Sequence, residues 1–285
     1  QIAPLALQES YDNSGLLVGD PNFEVDSVLL CLDITELVVE EAIGRGCSMI
    51  VSHHPIIFSG LKRLNPDTDA QRAILLAIKN DIALYSIHTN LDNVQEGVNA
   101  KIAQKLGIEK PRILSPKTGD LLKLVVFTPE GYSKEVANAC FKAGGGSIGD
   151  YSECSFESIG KGSYTPGENS TPSIGEIGKH EIGDELKQEF LIPSHLSKSI
   201  LNAIKNAHPY DEVAYDLIPL LNENSFIGSG MIGLLKEPMY TLDFLKHIKK
   251  EFGGVVRYTS PIKDQVQKIA WCGGSGSFLL SNAKR

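Results

Sequence analysis

The chain reads Ile-Val-Ser-His-His-Pro-Ile-Ile-Phe from Ile50 to Phe58, a strand-like apolar run that ends in two adjacent histidines and a proline. Neighbouring residues of a regular strand point to opposite faces of the sheet. His53 and His54 can therefore serve one cavity only where the strand ends, and Pro55 favours that ending because proline cannot extend a hydrogen-bonded ladder. Adjacent imidazoles also suit two metal ions better than one, so the stretch predicts a metal site at a strand end.

Strand-like and helix-like segments alternate on both sides of this stretch. Short apolar runs at 27–33, 48–52 and 82–87 predict strands. Helical periodicity predicts helices over 36–45, 70–80 and 97–106, the last of them ended by Gly107. Such a βαβαβ series predicts a sheet that is at least partly parallel and is buried by helices on both faces.

Polar side chains follow the ends of all three predicted strands. They are Asp33 after the first, His53 and His54 after the second, and His88, Asn90 and Asp92 after the third. Because ligands of open α/β sheets bind at the carboxyl edge of the strands, we expect these side chains to converge. Their nitrogen and oxygen atoms suit Zn²⁺, Mn²⁺, Fe²⁺ or Co²⁺. The alternative is that each histidine only bonds backbone or a neighbour, but three histidines and two aspartates on one edge favour a metal.

Composition and charge exclude several classes of protein. The chain has 285 residues, 42% of them hydrophobic, with 27 Lys plus Arg against 35 Asp plus Glu. The net charge of −8 and the lack of a Lys/Arg cluster argue against nucleic acid as a partner and favour a small molecule or another protein. No apolar run reaches the roughly 18 residues of a membrane helix, so a membrane is not an expected partner.

The cysteines and the chain ends bear on location. Five scattered cysteines without a CxxC spacing are typical of reduced thiols, and no signal peptide is recognisable, so we expect a cytoplasmic protein. The chain begins at Gln1 without a methionine and stops at Arg285 soon after a glycine loop. Both ends are therefore expected to be cut from a longer protein.

A second domain is expected in the middle of the chain. The composition shifts to Pro, Ser, Lys and Gly over 111–120, which is typical of a domain boundary. Strands at 121–127, 151–157, 186–192 and 213–217, with helices at 133–142 and 195–207, fit a ferredoxin-like βαββαβ sandwich. A helix at 242–252 and an apolar run at 268–272 follow, too small to fold alone. We therefore expect an α/β domain over 1–118 and 226–285, its C-terminal part missing, interrupted by an inserted domain over 119–225.

Five ordered motifs carry a resemblance that covers essentially the whole chain. They are Tyr11–Gly19 (YDNSGLLVG), Ser52–Phe58 (SHHPIIF), His88–Asp92 (HTNLD), His208–Asp216 (HPYDEVAYD) and Cys272–Gly276 (CGGSG). On these motifs the sequence resembles the GTP cyclohydrolase 1 type 2 homologues, also called Ngg-one-interacting-factor-three-like proteins. The resemblance implies a two-lobed three-layer α/β domain with a PII/CutA-like ferredoxin-like insertion. It also implies a toroidal homohexamer with two divalent metal ions in each subunit.

The family's metal ligands fall on named positions of this sequence. The resemblance places the metal-binding histidine pair on His53 and His54 and the metal-binding aspartate on Asp92, with His88 close enough to be an added ligand or to support one. Family members also supply a late histidine and glutamate. That motif is absent here, and we expect those ligands to lie beyond Arg285.

Two motifs leave their roles open. In the insertion motif, His208, Asp211 and Glu212 could form an acidic lip or a second metal contact, but we favour a turn set by Pro209, with Val213 and Tyr215 packed inward. The motif Cys272–Gly276 is compatible with a backbone nest for phosphate and equally with a tight structural turn.

Two functions are compatible with this sequence. The first is a metal-dependent hydrolase of a nucleotide or phosphorylated small molecule, in which Asp33 or His88 orients the water; the family name implies GTP ring opening. The second is a non-catalytic metal-binding regulator or scaffold that senses a metabolite or partner through the insertion. Nothing in the sequence assigns a catalytic residue or selects guanine.

Overall fold

The computed structural model describes residues 2–284, which form two compact units. The first, here called the split unit, comprises the described residues up to Ser115 and from Phe226 onward. The second, the inserted unit, is Pro116–Ser225. From the sequence, the inserted domain was expected over residues 119–225. Among the described residues, none of the helices has the length and apolarity that a bilayer crossing demands.

The first sheet of the split unit supplies the strand ends that concern function. Its strands are β1 (Gly15–Val18), β2 (Val28–Cys31), β3 (Met49–Ser52) and β4 (Ala83–Ser86), in the order β1-β4-β3-β2. Strands β2, β3 and β4 are parallel, whereas β1, which the periodicity did not predict, pairs antiparallel with β4. The prediction of a partly parallel sheet is therefore confirmed.

Two capped helices cross between the parallel strands. Helix α1 (Glu36–Gly44) begins where the Thr35 side chain accepts a hydrogen bond from Val38 N–H, and α2 (Asp69–Lys79) begins with a capping box between Thr68 and Gln71. Their apolar faces pack on the sheet in a core that includes Ile50, Ile74 and Leu84.

Burial of that sheet by helices on both faces is wrong for strand β2. Leu30 is 75% exposed, and Leu32, just after the strand, is 60% exposed. The reason is that alternate residues of β2 project from opposite faces: Leu29 and Cys31 pack against the helix-covered core, whereas Val28 and Leu30 project from the other face, which is exposed.

Two helices lead from this sheet to the next strand. Helix α3 (Thr89–Asp92) is a single turn directly after β4, and α4 (Val98–Leu106) follows it. Gly107 ends α4 in the left-handed conformation with φ of 65°, as predicted. Strand β5 (Ile108–Thr118) comes next.

The inserted unit has the predicted ferredoxin-like topology. Its elements are β6 (Leu121–Pro129), α5 (Ser133–Lys142), β7 (Ser155–Tyr164), β8 (Glu181–Pro193), α6 (Ser197–Ala207) and β9 (Tyr215–Leu220). The sheet has the order β7-β8-β6-β9 with every pair antiparallel. Both helices pack on one face, around a core that includes Phe190, Ile200 and Ile204. An α/β fold with a ferredoxin-like insertion is thus confirmed.

Two details of the inserted unit differ from the prediction. The strand predicted over 151–157 lies at Ser155–Tyr164, because its pairing with β8 continues into the glycine-rich stretch as far as Tyr164 opposite Glu181. Tyr215 does not pack inward: it is 36% exposed, with the Lys205 ammonium over its ring. Val213 does pack against the core.

The chain then returns to the split unit through strand β10 (Glu223–Tyr240), helix α7 (Thr241–Phe252), strand β11 (Gln265–Trp271) and the short helix α8 (Leu280–Ala283). The second sheet has the order β11-β10-β5. The inserted unit begins at Pro116, inside the predicted boundary segment 111–120, although strand β5 runs through most of that segment. Because β5 is an edge strand, Pro111 and Pro116 are tolerated there without breaking the sheet.

Candidate metal centre

The parallel strands position the histidine pair. His53 and His54 come directly after β3, and their backbone N–H groups donate to Cys31 O and Leu32 O at 3.2 and 3.0 Å. The two residues after β3 thus stay hydrogen-bonded to the end of β2, but through two consecutive N–H groups, which is not the pattern of a regular strand. This departure from regular strand geometry lets two consecutive side chains reach the same cavity.

Three imidazole rings lie together at this edge of the sheet. The ring centroids of His53 and His54 are 5.0 Å apart, and His88, which follows β4, lies 5.2 Å from His53 and 5.7 Å from His54. One ligand nitrogen from each of the three lies within 4.8 Å of the other two. His88, which the sequence placed only near the site, therefore belongs to the cluster.

Each of the three rings is anchored through Nδ1. The partners are Ile87 O for His53 at 2.9 Å, Asp33 Oδ1 for His54 at 2.7 Å and Asp12 Oδ1 for His88 at 2.8 Å. A carbonyl or a carboxylate oxygen only accepts, so each Nδ1 carries the proton and donates it. In the neutral ring, Nε2 then keeps its lone pair for a ligand. Histidines that bind metal are held in this way by an acceptor behind the ring.

The carboxylate of Asp12 is the most heavily bonded group of the site. Its side chain is fully buried and accepts hydrogen bonds from the N–H of Asn13 and of Thr89, from the hydroxyls of Ser14 and Thr89, and from His88 Nδ1. Burial acts to raise its pKa, but the bonds from Thr89 and His88 outweigh burial and lower the pKa to about 2. Asp12 therefore stays ionised and holds His88 in place.

Asp12 was not identified from the sequence as a site residue. It was visible only as the second residue of the motif Tyr11–Gly19. Asp33, which was identified, is 61% exposed and bonds His54. Asn90 is fully buried, accepts the His88 N–H at 2.9 Å and donates to Ala3 O, so its role is structural.

Asp92, at the end of α3, lines the same cavity as the three histidines but lies outside the set of mutually close ligand atoms. Its Oδ1 is buried and has no hydrogen-bond partner among the described residues. Burial raises the pKa of Asp92, while His53, His88 and His54 oppose that shift. A buried carboxylate oxygen without a donor, beside imidazoles with available lone pairs, fits a bound cation.

The glycine loop Cys272–Gly276 also lines this cavity. The Gly273 N–H is already bonded to Asn99 Oδ1 at 2.9 Å, and a Cβ at Gly273 would lie 2.9 Å from Val98 Cγ1. Close packing against α4 accounts for that glycine, and this favours the structural turn over the phosphate nest.

The cavity itself has a volume of about 770 Å³. Besides the metal-ligand candidates, it is lined by the largely exposed rings of Tyr11 and Phe278. A cleft of this size is in the range that small-molecule ligands occupy.

Comparison with known proteins places the chain in a family. The sequence profile of Duf34/NIF3 (NGG1p interacting factor 3) matches residues 1–285. A GTP cyclohydrolase 1 type 2 homolog of Halalkalibacterium halodurans is 40% identical over 285 residues, covering 99% of this chain and 77% of the relative. The Bacillus subtilis protein of the same name is 38% identical over 287 residues, with 100% and 77% covered.

A solved structure gives the same assignment. The crystal structure of a Bacillus cereus protein related to NIF3 superimposes with a TM-score of 0.85 at 39% identity, over 99% of this chain and 76% of that one. Profile, relatives and structure agree with the five motifs, and the chain belongs to the Duf34/NIF3 family.

Proposed function

We propose that this protein is a divalent-metal-dependent hydrolase that acts on a nucleotide or another phosphorylated small molecule. The metal ligands are His53, His54 and Asp92, with His88 as a further ligand, and they hold two ions of Zn, Mn, Fe or Co. The observation that carries the proposal is the Nδ1 anchoring of all three histidines, which leaves three Nε2 atoms available beside a buried carboxylate oxygen.

The residues of the site have different roles in the proposed reaction. Bound divalent cations polarise a phosphoryl or carbonyl oxygen and lower the pKa of a water molecule. Asp12 and Asp33 keep His88 and His54 in the tautomer that ligates. Because His88 Nδ1 donates to Asp12 and its Nε2 is reserved for metal, Asp33, which is 61% exposed and bonds His54 through Oδ1, is the better candidate of the two for orienting a water.

The walls of the cavity support the substrate class. Tyr11 and Phe278 are 63% and 62% exposed, and such rings offer faces on which a nucleobase can stack. Among the described residues that line the cavity there is no Lys or Arg. Charge neutralisation of a phosphate would therefore come from the bound cations. The relatives' name suggests GTP as the first substrate to test.

Activity on nucleotides tests this proposal. The protein is loaded with each of the four metals, and phosphate release and purine ring opening are measured with GTP and a panel of other nucleotides. We expect turnover that is lost in the His53→Ala, His54→Ala double variant. His247→Ala, which removes a histidine of α7, is the matched control and should keep full activity.

The competing function is the non-catalytic regulator or scaffold. If the metal-loaded protein binds metal stoichiometrically and still converts no nucleotide, the hydrolase proposal is wrong and the regulator is favoured. If the protein retains no divalent metal at all, both proposals fail.

The proposal includes assembly into a homohexamer. Three exposed leucines support an apolar contact surface between copies: Leu30 on edge strand β2, Leu32 just after it and Leu37 in α1. Light scattering after gel filtration tests it, and a monomer at micromolar concentration would contradict it.

A further inference from the structure

The inserted unit contains a cavity of its own, with a volume of about 370 Å³. Two tyrosines form aromatic walls: Tyr164 at the end of β7, and Tyr210 from the motif His208–Asp216. Their ring centroids are 6.1 Å apart with an interplanar angle of 60°. The cavity is large enough for a small organic ligand.

His208 fixes the position of Tyr210 and does not serve as a ligand. It is 7% exposed, its Nε2 donates to Phe127 O at 3.0 Å, and its Nδ1 accepts the Tyr210 N–H at 3.1 Å. Both ring nitrogens are therefore used on backbone groups. The His208 and Tyr210 rings also meet edge to face with centroids 5.1 Å apart. The histidine of this motif thus supports the aromatic wall.

Negative charge lines the same cavity. The carboxylates of Glu185, Asp211 and Glu212 all contribute to its lining, and the described lining residues include no Lys, Arg or His. Glu185 Oε1 accepts from the Tyr210 hydroxyl at 3.2 Å, which places a carboxylate beside an aromatic face. Asp211 Oδ2 accepts the Thr171 N–H at 2.8 Å, and this hydrogen bond joins the segment around Thr171 to the side of the cavity formed by Tyr210 and Asp211.

A glycine makes room for the Glu185 carboxylate. A Cβ at Gly162 would lie 2.1 Å from Glu185 Oε2, so no other residue fits there without moving that carboxylate. Glycine at position 162 thus leaves space for the end of the Glu185 side chain at this cavity. Phosphates and carboxylate ligands would meet like charge there and are disfavoured.

We propose that this cavity binds a small organic cation, a protonated alkylamine, against the aromatic walls formed by Tyr164 and Tyr210, with Glu185 as the counter-charge. Aromatic faces combined with acidic groups are the arrangement that attracts ammonium ions. A metal ion is disfavoured because, within residues 2–284, the three carboxylates do not form a group of mutually close ligand atoms.

The test uses 1,5-diaminopentane as the probe, titrated into the whole chain by calorimetry. Neutral 1,5-pentanediol and anionic glutarate have the same carbon chain length and isolate the role of charge. We expect saturable binding of the diamine and binding of the diol and glutarate weaker by about ten-fold or more. Equal binding of diamine and diol, or no saturable diamine binding at millimolar concentration, would overturn the proposal.

Variants assign the binding to this cavity. Tyr164→Leu and Glu185→Gln should each weaken diamine binding by about ten-fold. Tyr210→Phe keeps the ring and should change binding by less than about three-fold. His53→Ala, in the split unit, should leave it unchanged, which separates this proposal from the metal centre. Circular dichroism verifies that each variant is folded, and wild-type affinity in both folded Tyr164→Leu and Glu185→Gln would refute the site.

Discussion

Replacing Asp12 by asparagine should damage both the stability of the split unit and its affinity for metal. Asp12 Oδ1 accepts from Asn13 N–H at 2.7 Å and from His88 Nδ1 at 2.8 Å, and Oδ2 accepts from Thr89 N–H at 3.0 Å. An asparagine has only one accepting oxygen. In either orientation of the amide, its NH₂ group therefore faces the backbone N–H of Asn13 or of Thr89, and that N–H loses its acceptor.

The stability cost follows from these contacts. An unsatisfied buried donor costs about 1 to 3 kcal/mol, and the loss of hydrogen bonds to a charged group adds to it. We therefore expect Asp12→Asn to lower the free energy of unfolding by about 2 to 4 kcal/mol. The fully buried side chain of Asp12 leaves little chance for water to replace the lost partners.

The effect on metal follows from the tautomer of His88. If the amide NH₂ faces His88, Nδ1 must accept, and the ring proton moves to Nε2, the nitrogen that the proposed function reserves for metal. If the amide oxygen faces His88, a neutral acceptor replaces a carboxylate. Loss of such supporting groups typically weakens metal binding by about 10- to 100-fold.

The assay is competition for Zn²⁺ with a chromophoric chelator, at a temperature where the variant is folded, beside urea unfolding for stability. Asp33→Asn should also weaken metal binding through His54. It should cost less than about 1 kcal/mol in stability, because Asp33 is 61% exposed. Asp150→Asn, an exposed acid of the inserted unit, is the control and should change neither. A folded Asp12→Asn variant with wild-type Zn²⁺ affinity would refute the role of the carboxylate.

Three further predictions concern folding. Burial lowers the pKa of His208, so as pH falls this histidine is protonated in the unfolded chain before it is protonated in the folded one. The free energy of unfolding should therefore fall as pH drops through about 6.5. Urea unfolding of His208→Gln should show a weaker pH dependence than the wild type, and an identical pH dependence would contradict this. Ile204→Ala, at a fully buried core position, should lower the free energy of unfolding by about 2 to 5 kcal/mol, whereas Ile159→Ala, at a site 81% exposed, should lower it by less than about 1 kcal/mol. Equal losses in the two variants would contradict the assigned core. Gly97→Ala would place a Cβ 1.8 Å from Leu91 O, whereas a Cβ at Gly107 meets open space and is opposed only by the φ of 65°. Thermal denaturation should therefore show a larger loss of stability for Gly97→Ala than for Gly107→Ala. The reverse order would refute the packing around α3 and α4.

The site illustrates what residue spacing can and cannot reveal. His53 and His54 were predicted to share a cavity because a strand end before Pro55 is a local property of the sequence. Asp12, in contrast, lies 76 residues from His88, to which it bonds, and no periodicity connects the two. The motif Tyr11–Gly19 marked the region, but the partner of its aspartate became known only from the folded chain.

The fold shows the same division. Helices α1, α2 and α4 and strands β2 to β4 were predicted from the sequence within about two residues, because capping, periodicity and apolar runs act over a few neighbouring residues. Strand β10 was not predicted: its glycines weaken the local signal, and one of its two hydrogen-bonded neighbours, β5, is distant in the chain. Likewise, the sequence alone determined which residue types meet at one sheet edge, and in the inserted unit it determined the order of strands and helices. The tertiary structure decided which ring nitrogens are free, which carboxylates are buried and where the second cavity lies, because each of these depends on contacts between residues far apart in sequence.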